Sequence, residues 1–283
     1  MVRYLLGFEY VGTAFRGASR VASDSSIPAV QNVLESALVK LNRAQAVRTA
    51  LSSRTDADVH ALCNTMHVDI DRGVDKPAYS PETIMNAVNH YMRKAYPVRV
   101  HTVYRVPDNF HARYFATGRT YVYRISANCK FLTVFERHRS YSIPHRLDVD
   151  AMKRGAEVFV GLHDFTTFSR ESAKTNMWKT MERAEVRDGR GYAIPSCDDE
   201  TQYIELEFKS KSFLYHQVRL MTGALVDVGS HKISPDELRI QLKACSRRLP
   251  IRMAPGYGLY LTNVSYSNHD IVYGTVSSHL GLT

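Results

Sequence analysis

Apolar residues along the chain recur first at strand spacing and then at helical spacing, and the switches between the two mark out the elements. Arg3 to Tyr10 (RYLLGFEY) is a short, mostly apolar run with the character of a strand. Val30, Val33, Leu34, Ala37, Leu38 and Leu41 then fall on one helical face downstream of Pro28, with Ser25 or Ser26 as the expected cap. A strand is predicted over Ala46 to Ser52. From Thr65 the residues alternate, with Met66, Val68 and Ile70 on one face and Thr65, His67 and Asp69 on the other, which predicts a half-buried strand. A helix over Pro81 to Ala95 and a strand over Val98 to Val106 complete a β-α-β-β-α-β order, the split pattern of ferredoxin-like units.

The order then recurs. Arg119 to Ala127 reads as a strand, and Asp148 caps a predicted helix from Val149 to Val160. Met181 to Asp188 and Tyr203 to Ser210 read as strands joined by a polar hairpin. Phe213 to Val228 is predicted helical, with Leu214, Val218, Met221 and Leu225 on its buried face. Ser234-Pro235-Asp236-Glu237 is a capping box opening another helix, and Leu259 to Tyr266 is a closing strand. The expectation is an α+β protein of two ferredoxin-like βαββαβ halves, residues 1–107 and 108–283, with a substrate cleft between them.

Composition narrows the partner. The 283 residues carry a net charge of +9. Nine Lys and Arg lie between Arg99 and Arg146 against only Asp108 and Glu136, with Tyr104, Phe110, Tyr114, Phe115, Tyr121 and Tyr123 interleaved. Cations that neutralise phosphates beside rings that stack on bases suit RNA better than a membrane surface. The four cysteines are far apart and include no C-x-x-C pair, which argues against a zinc site and against a disulfide scaffold. No run approaches the length of a membrane span, and the chain enters a strand pattern at Val2, so no targeting segment is expected.

The densest chemistry is Ser53-Arg54-Thr55-Asp56-Ala57-Asp58-Val59-His60, a polar loop between two predicted strands. Two readings are open. It is an Asx-type turn with Arg54 as a surface partner, or a catalytic loop with Asp56 as nucleophile or base. A pairing of Asp56 with Asp58, as in glycosidases, is disfavoured because positions i and i+2 of a tight loop rarely face each other across a substrate. Tyr121 and Tyr123 share one face of a strand, as core or as a platform for a flipped base. Arg219 borders the buried face of its helix, where it either points to solvent or pairs with a carboxylate such as Asp56. His163-Asp164 after Gly161 reads as a turn rather than a catalytic dyad.

Five segments in order then resemble one family. Arg54-Thr55-Asp56-Ala57-x-Val59-His60 resembles the R-T-D-A-G-V-H signature of the tRNA pseudouridine synthase A (TruA) family. Phe110-His111-Ala112-Arg113 with Arg119-x-Tyr121-x-Tyr123 is similar to its F-H-A-R and R-x-Y-x-Y segment, and His163-Asp164-Phe165-x-x-Phe168 to its H-D-F-x-x-F. Phe213-x-x-His216-x-Val218-Arg219 through Gly223 is similar to its F-x-x-H-x-V-R-x-x-x-G helix, and Ala254-Pro255-x-x-Gly258-Leu259-Tyr260-Leu261 to its A-P-x-x-G-L-Y-L close.

The resemblance implies isomerisation of uridine to pseudouridine in tRNA, in or near the anticodon stem-loop, on a flipped-out base. It implies no cofactor and no metal. It makes Asp56 the catalytic residue and assigns substrate binding to Arg54, Tyr121 as the stacking ring, Arg219 as the partner of the aspartate, and Leu259 in the pocket lining. It suggests a homodimer, the state of bacterial members, whereas eukaryotic members vary. A eukaryotic branch of the family is linked to mitochondria, which points to the mitochondrial matrix or the cytoplasm. Asp58 departs from the family glycine but tolerates left-handed backbone angles. An RNA-binding protein or RNA chaperone of the same fold, with weak or no catalysis, is the alternative.

Overall fold

The computed structural model describes all residues except 23–24, 44–45, 94, 130, 173–174, 193–199, 268–272 and 275–283. The chain forms two compact units, one of Met1–Arg119 with Leu261–Thr283 and one of Thr120–Tyr260. The first begins with the expected order: β1 (Val2–Tyr10), α1 (Val30–Val39), β2 (Arg48–Leu51), β3 (His60–Ile70), α2 (Pro81–Met92) and β4 (Val98–Arg105). The second holds β5 (Gly118–Ala127), β6 (Tyr141–Ile143), α3 (Val149–Glu157), β7 (Gly161–Asp164), β8 (Trp178–Asp188), β9 (Gln202–Ser210), α4 (Gln217–Gly229) and α5 (Pro235–Lys243). β10 (Leu259–Ser265) and the two-residue β11 (Tyr273–Gly274) follow. The mixed α+β class read from the sequence is the class observed.

In the first unit, β1 is central and antiparallel to both neighbours, with Val2 opposite Ile70 on β3 and Tyr4 opposite Arg105 on β4. β2 adds to β3 from Arg48 opposite Asp69 to Leu51 opposite Met66, and β10 returns to lie beside β3. That return carries residues 261 onward into the first unit, so the chain does not divide at a single point near residue 107. A sequence boundary registers where local patterns change, and only strand pairing brings the last strand home.

β3 is not half-buried. Thr65 is 0% exposed and His67 and Asp69 are each 6% exposed, so its polar face is as dry as its apolar one. Each polar group on that face has a partner, as buried polar groups require. Thr65 Oγ1 bonds the Tyr266 hydroxyl, and Tyr266 in turn donates to the Ala112 carbonyl. His67 Nδ1 accepts from Ala112 N at 3.1 Å, and Asp69 takes a two-pronged contact from Arg3 at 2.7 and 2.8 Å. The F-H-A-R segment therefore packs on β3 through Ala112 and His111, which meet His67, while Arg113 stays exposed.

α1 buries Val30, Val33, Leu34, Ala37 and Leu38 as its spacing predicts, while Leu41 falls beyond the helix end. Its start differs from expectation. The N-cap is Ala29, which makes no side-chain cap, rather than Ser25 or Ser26. The orphan N–H groups of the first turn are taken by loop carbonyls instead, Val30 N to Gly17 O at 3.2 Å and Gln31 N to Ala18 O at 3.0 Å. α2 follows the rules, with Ser80 accepting from Thr83 N, Pro81 in the first turn, and Ile84, Val88 and Met92 buried.

In the second unit, the strands run in the order β5-β9-β8-β7, with β6 parallel to β5 at Ile125 opposite Tyr141. α3 packs on α4 and α5. Asp148 caps α3 through Ala151 N, and Ser234 with Glu237 closes both halves of the capping box on α5. β6 and β7 are too short to show alternation, and His163-Asp164 lies in β7 rather than in a turn. Phe165 and Phe168 of the same motif pack on Phe159, ring centroids 6.4 and 5.1 Å away, so the motif is built into the core. α4 starts at Gln217 rather than Phe213, because His216 adopts a left-handed φ of 63° at its N-cap. Cys63 and Cys129 are buried free thiols and Cys245 an exposed one; Cys197, and the middle of the polar hairpin expected between Asp188 and Tyr203, lie outside the described residues. Among the described residues no helix is long and apolar enough to cross a membrane.

Candidate active site

The Arg54–His60 loop joins β2 to β3, and both of its flanks are pinned by buried groups. Ser52 N donates to Thr65 O at 2.9 Å, the last rung before the strands part. Asn64 lies directly beneath, 0% exposed. Its Oδ1 accepts from Ser52 Oγ at 2.9 Å and from Thr65 N at 2.8 Å, and its Nδ2 donates to Ser53 O at 3.0 Å and to the Tyr10 hydroxyl at 3.2 Å. Tyr10 Oη also bonds Thr55 Oγ1 at 2.7 Å. Burial holds the Tyr10 phenol up at about 12, so it stays a neutral hydrogen-bonding group. Arg119, 7% exposed, donates from Nη2 to Ser52 O at 3.1 Å and to Arg113 O at 2.8 Å. The arginine of the R-x-Y-x-Y segment is thus a brace for the entry to the loop.

The other side of the loop rests on glycines. A Cβ on Gly12 would lie 2.0 Å from Val59 O, and Gly12 N donates to His60 Nδ1 at 3.1 Å. Gly17, at φ 86°, sits where a Cβ would come within 3.0 Å of Thr55 O, and Ala18 N donates to that same carbonyl at 3.0 Å. Because Gly17 O and Ala18 O also cap α1, the loop and the helix are fastened to one short segment. Between these anchors Val59 N closes a turn onto Asp56 O at 3.3 Å, and Asp58 takes φ 67°. The glycine of the family signature is a position of left-handed backbone, and aspartate fills it. The turn lifts Asp56 to partial exposure, with Arg54, Ala57 and Asp58 exposed around it. A carboxylate at the tip of a rigidly held turn is pre-organised for chemistry. The loop is thus a turn closed by the backbone bond from Val59 N to Asp56 O, and that turn leaves the Asp56 carboxylate partly exposed.

The second unit gathers the remaining motif residues. Tyr121, on β5 and 9% exposed, meets Phe213 edge to face at 5.1 Å. Tyr123 is fully buried and donates to Pro255 O at 2.8 Å; burial pushes its phenol well above the usual range. It is a core residue, and a Cβ on Gly258 would lie 2.7 Å from its ring. Arg219 is neither turned to bulk solvent nor isolated. Its Nε donates to Ala254 O at 2.9 Å while Ala254 N donates to Arg219 O at 3.0 Å. Gly223 lets the segment around Arg252 approach the helix, since a Cβ there would sit 1.8 Å from Arg252 O. Leu259 follows the Gly256–Gly258 3₁₀ turn and is 5% exposed. The R-x-Y-x-Y, V-R-x-x-x-G and A-P-x-x-G-L segments, remote in sequence, are knit together here.

Of the residues singled out from the sequence, Arg54 and Asp56 share the loop of the first unit, and Tyr121, Arg219 and Leu259 belong to the second. Sequence reading overlooked Tyr10, Gly12, Gly17 and Asn64, and left Arg119 without a role. Only the glycines carried a signal, as potential sites of close approach or positive φ.

Comparison with known proteins agrees with this geometry. The profile of the tRNA pseudouridine synthase family matches residues 8–115 and 156–267, spanning both the loop and the α4–β10 region. The tRNA pseudouridine synthase-like 1 protein of Homo sapiens is 40% identical over 275 residues, covering 94% of this chain and 90% of the relative. The tRNA pseudouridine synthase A of Caulobacter sp. (strain K31) is 39% identical over 268 residues, covering 94% of this chain and 98% of the relative. With the match running across nearly the whole length of both chains, this protein belongs to the tRNA pseudouridine synthase family.

Proposed function

We propose that this chain isomerises uridine to pseudouridine in tRNA, with Asp56 as the catalytic carboxylate. The observation that carries the assignment is the presentation of Asp56: a partly exposed carboxylate on a turn whose flanks are fixed by Asn64, Tyr10, Arg119 and two glycines. The reaction breaks the bond from the uracil N1 to C1′ of the ribose, turns the base, and forms a bond from C5 to the same C1′. The proton lost from C5 is balanced by the one gained at N1. One carboxylate suffices, either by transient covalent attachment or by moving that proton, and no activated donor enters the balance.

Arg54, exposed beside Asp56, holds the RNA backbone. Tyr121 stacks on the extruded base, Arg219 supports the charge of the aspartate, and Leu259 supplies apolar lining; these roles follow from family resemblance and from the defined seat each side chain has in its own unit. The anticodon stem-loop, a mitochondrial matrix or cytoplasmic location, and a homodimer are part of the same proposal. The test is pseudouridine mapping of tRNA treated with wild type and with Asp56→Ala. Loss of pseudouridine with tRNA binding kept is expected. An active Asp56→Ala variant would overturn the assignment. Wild-type protein that binds tRNA but leaves its uridines unchanged would favour the RNA-chaperone reading.

A further inference from the structure

β3 runs from the candidate catalytic loop at His60 to Ile70, about 30 Å at ~3.3 Å per residue. At its far end the turn after Ile70 and the turn after α1 border an open, polar cavity of about 420 Å³. Lys40, Arg43, Arg72 and Lys76 line it, with Asp75 as the one lining carboxylate. The nearby Asp71 is engaged otherwise, its Oδ1 accepting from Gly73 N at 3.0 Å. Among the described residues none of the four cations is paired with a carboxylate.

Arg72 is held in place. Its guanidinium lies 4.2 Å over the Tyr79 ring and its Nη1 donates to Pro77 O at 2.8 Å. Its Nε is buried and has no hydrogen-bond partner among the described residues. A planar guanidinium immobilised by an aromatic ring is a favoured arrangement for gripping an oxyanion. The glycine at φ 92°, Gly73, keeps the turn open beside Arg43, whose Nη1 lies 3.5 Å from where a Cβ would be.

We propose that this cavity is a phosphate-binding site, remote from the catalytic loop, and that its occupant is a phosphate of the tRNA backbone. The proposal rests on the tRNA reading above for the occupant but not for the anion chemistry. A tRNA extends well beyond the reach of one active-site loop, so a second grip far from the reacting base fixes the register of the substrate without reading its sequence.

The experiment measures binding of a full-length tRNA transcript across a salt series, for wild type, Arg72→Gln, Lys76→Gln and Lys76→Glu. It is joined by a titration of wild type and variants with inorganic phosphate, followed by NMR. Lys76 is exposed, so its variants test the site without disturbing the Arg72–Tyr79 stack. A several-fold rise in Kd for tRNA is expected in each variant, largest for Lys76→Glu, with the logarithmic salt slope reduced by about 1 for each phosphate no longer neutralised. If tRNA binding is unmoved but phosphate shifts the wild type and not the variants, the anion site stands and its occupant is a free phosphorylated molecule. If neither changes, the proposal is overturned. Failure of the wild type to form pseudouridine on the same transcript would count against the assigned reaction and leave the phosphate titration to stand on its own.

Discussion

The Asn64 carboxamide donates to the Ser53 carbonyl at 3.0 Å, joining the first residue of the polar loop to the interior of the neighbouring strand. The same side chain accepts from Ser52 Oγ and Thr65 N and donates to Tyr10, so all its hydrogen-bonding capacity is spent on shaping the entry to the loop. Asn64→Ala strands several of these groups in a dry site, at about 1 to 3 kcal/mol for each group left unpaired. We expect a lower midpoint of chemical denaturation. We also expect kcat for pseudouridine formation to fall by more than tRNA affinity, because Asp56 is displaced while the basic surface is untouched. Equal losses in kcat and affinity would show that Asn64 supports the fold alone.

Asp58 occupies a left-handed backbone position at φ 67°. Asp58→Gly removes the steric cost there and is expected to keep or slightly raise stability, with activity retained. Asp58→Val forces a β-branched residue into that conformation, at about 1 to 2 kcal/mol, and distorts the turn that carries Asp56. The thermal unfolding midpoint and the single-turnover rate should both fall in Asp58→Val and both be kept in Asp58→Gly; a fall in both variants would mean that the carboxylate of Asp58, rather than its backbone, matters.

Gly12 lies so close to the loop that a Cβ would fall 2.0 Å from Val59 O. The contact is with backbone, which cannot rotate away. Gly12→Ala is therefore expected to push the loop outward, costing about 1 to 3 kcal/mol as overpacking does and abolishing most turnover. Near-normal turnover in Gly12→Ala would show that the loop tolerates displacement.

His67 gives the fold a pH dependence. Burial, followed by the nearby Arg3 charge, lowers its imidazole to about 4 from an ordinary 6.5. Its neutral ring accepts from Ala112 N, which a protonated Nδ1 could not do. The folded value lies below the unfolded one, so the unfolded chain binds the extra proton between them. Stability is complete above pH 6.5 and falls as the pH drops toward 4, by at most about 1.4 kcal/mol per pH unit from this residue. Urea denaturation at about pH 7 and about pH 4.5, on either side of most of that window, should show a smaller loss for His67→Gln, which keeps an acceptor and does not titrate. Identical losses would remove His67 from the acid response.

The local patterns of this sequence determine its elements. Periodicity places α1, α2, β1, β4, β5, β8, β9 and β10 within a few residues, because a helical turn or a pleat is set by neighbours close in sequence. The helix caps at Asp148 and Ser234 are equally local. Motif resemblance further determines which aspartate to test. What tertiary structure alone decided is everything that depends on pairing between distant residues. Thr65, His67 and Asp69 look like a solvated face until Tyr266, Ala112 and Arg3 arrive to satisfy them. α1 lacks a side-chain cap because loop carbonyls supply one. Asn64 and Tyr10 have no signature in sequence, and the motif that contains Arg119 does not reveal its contacts with Ser52 and Arg113, since a buried hydrogen bond is specified by where two segments meet rather than by either segment. The sequence names Asp56, and the folded chain holds it still.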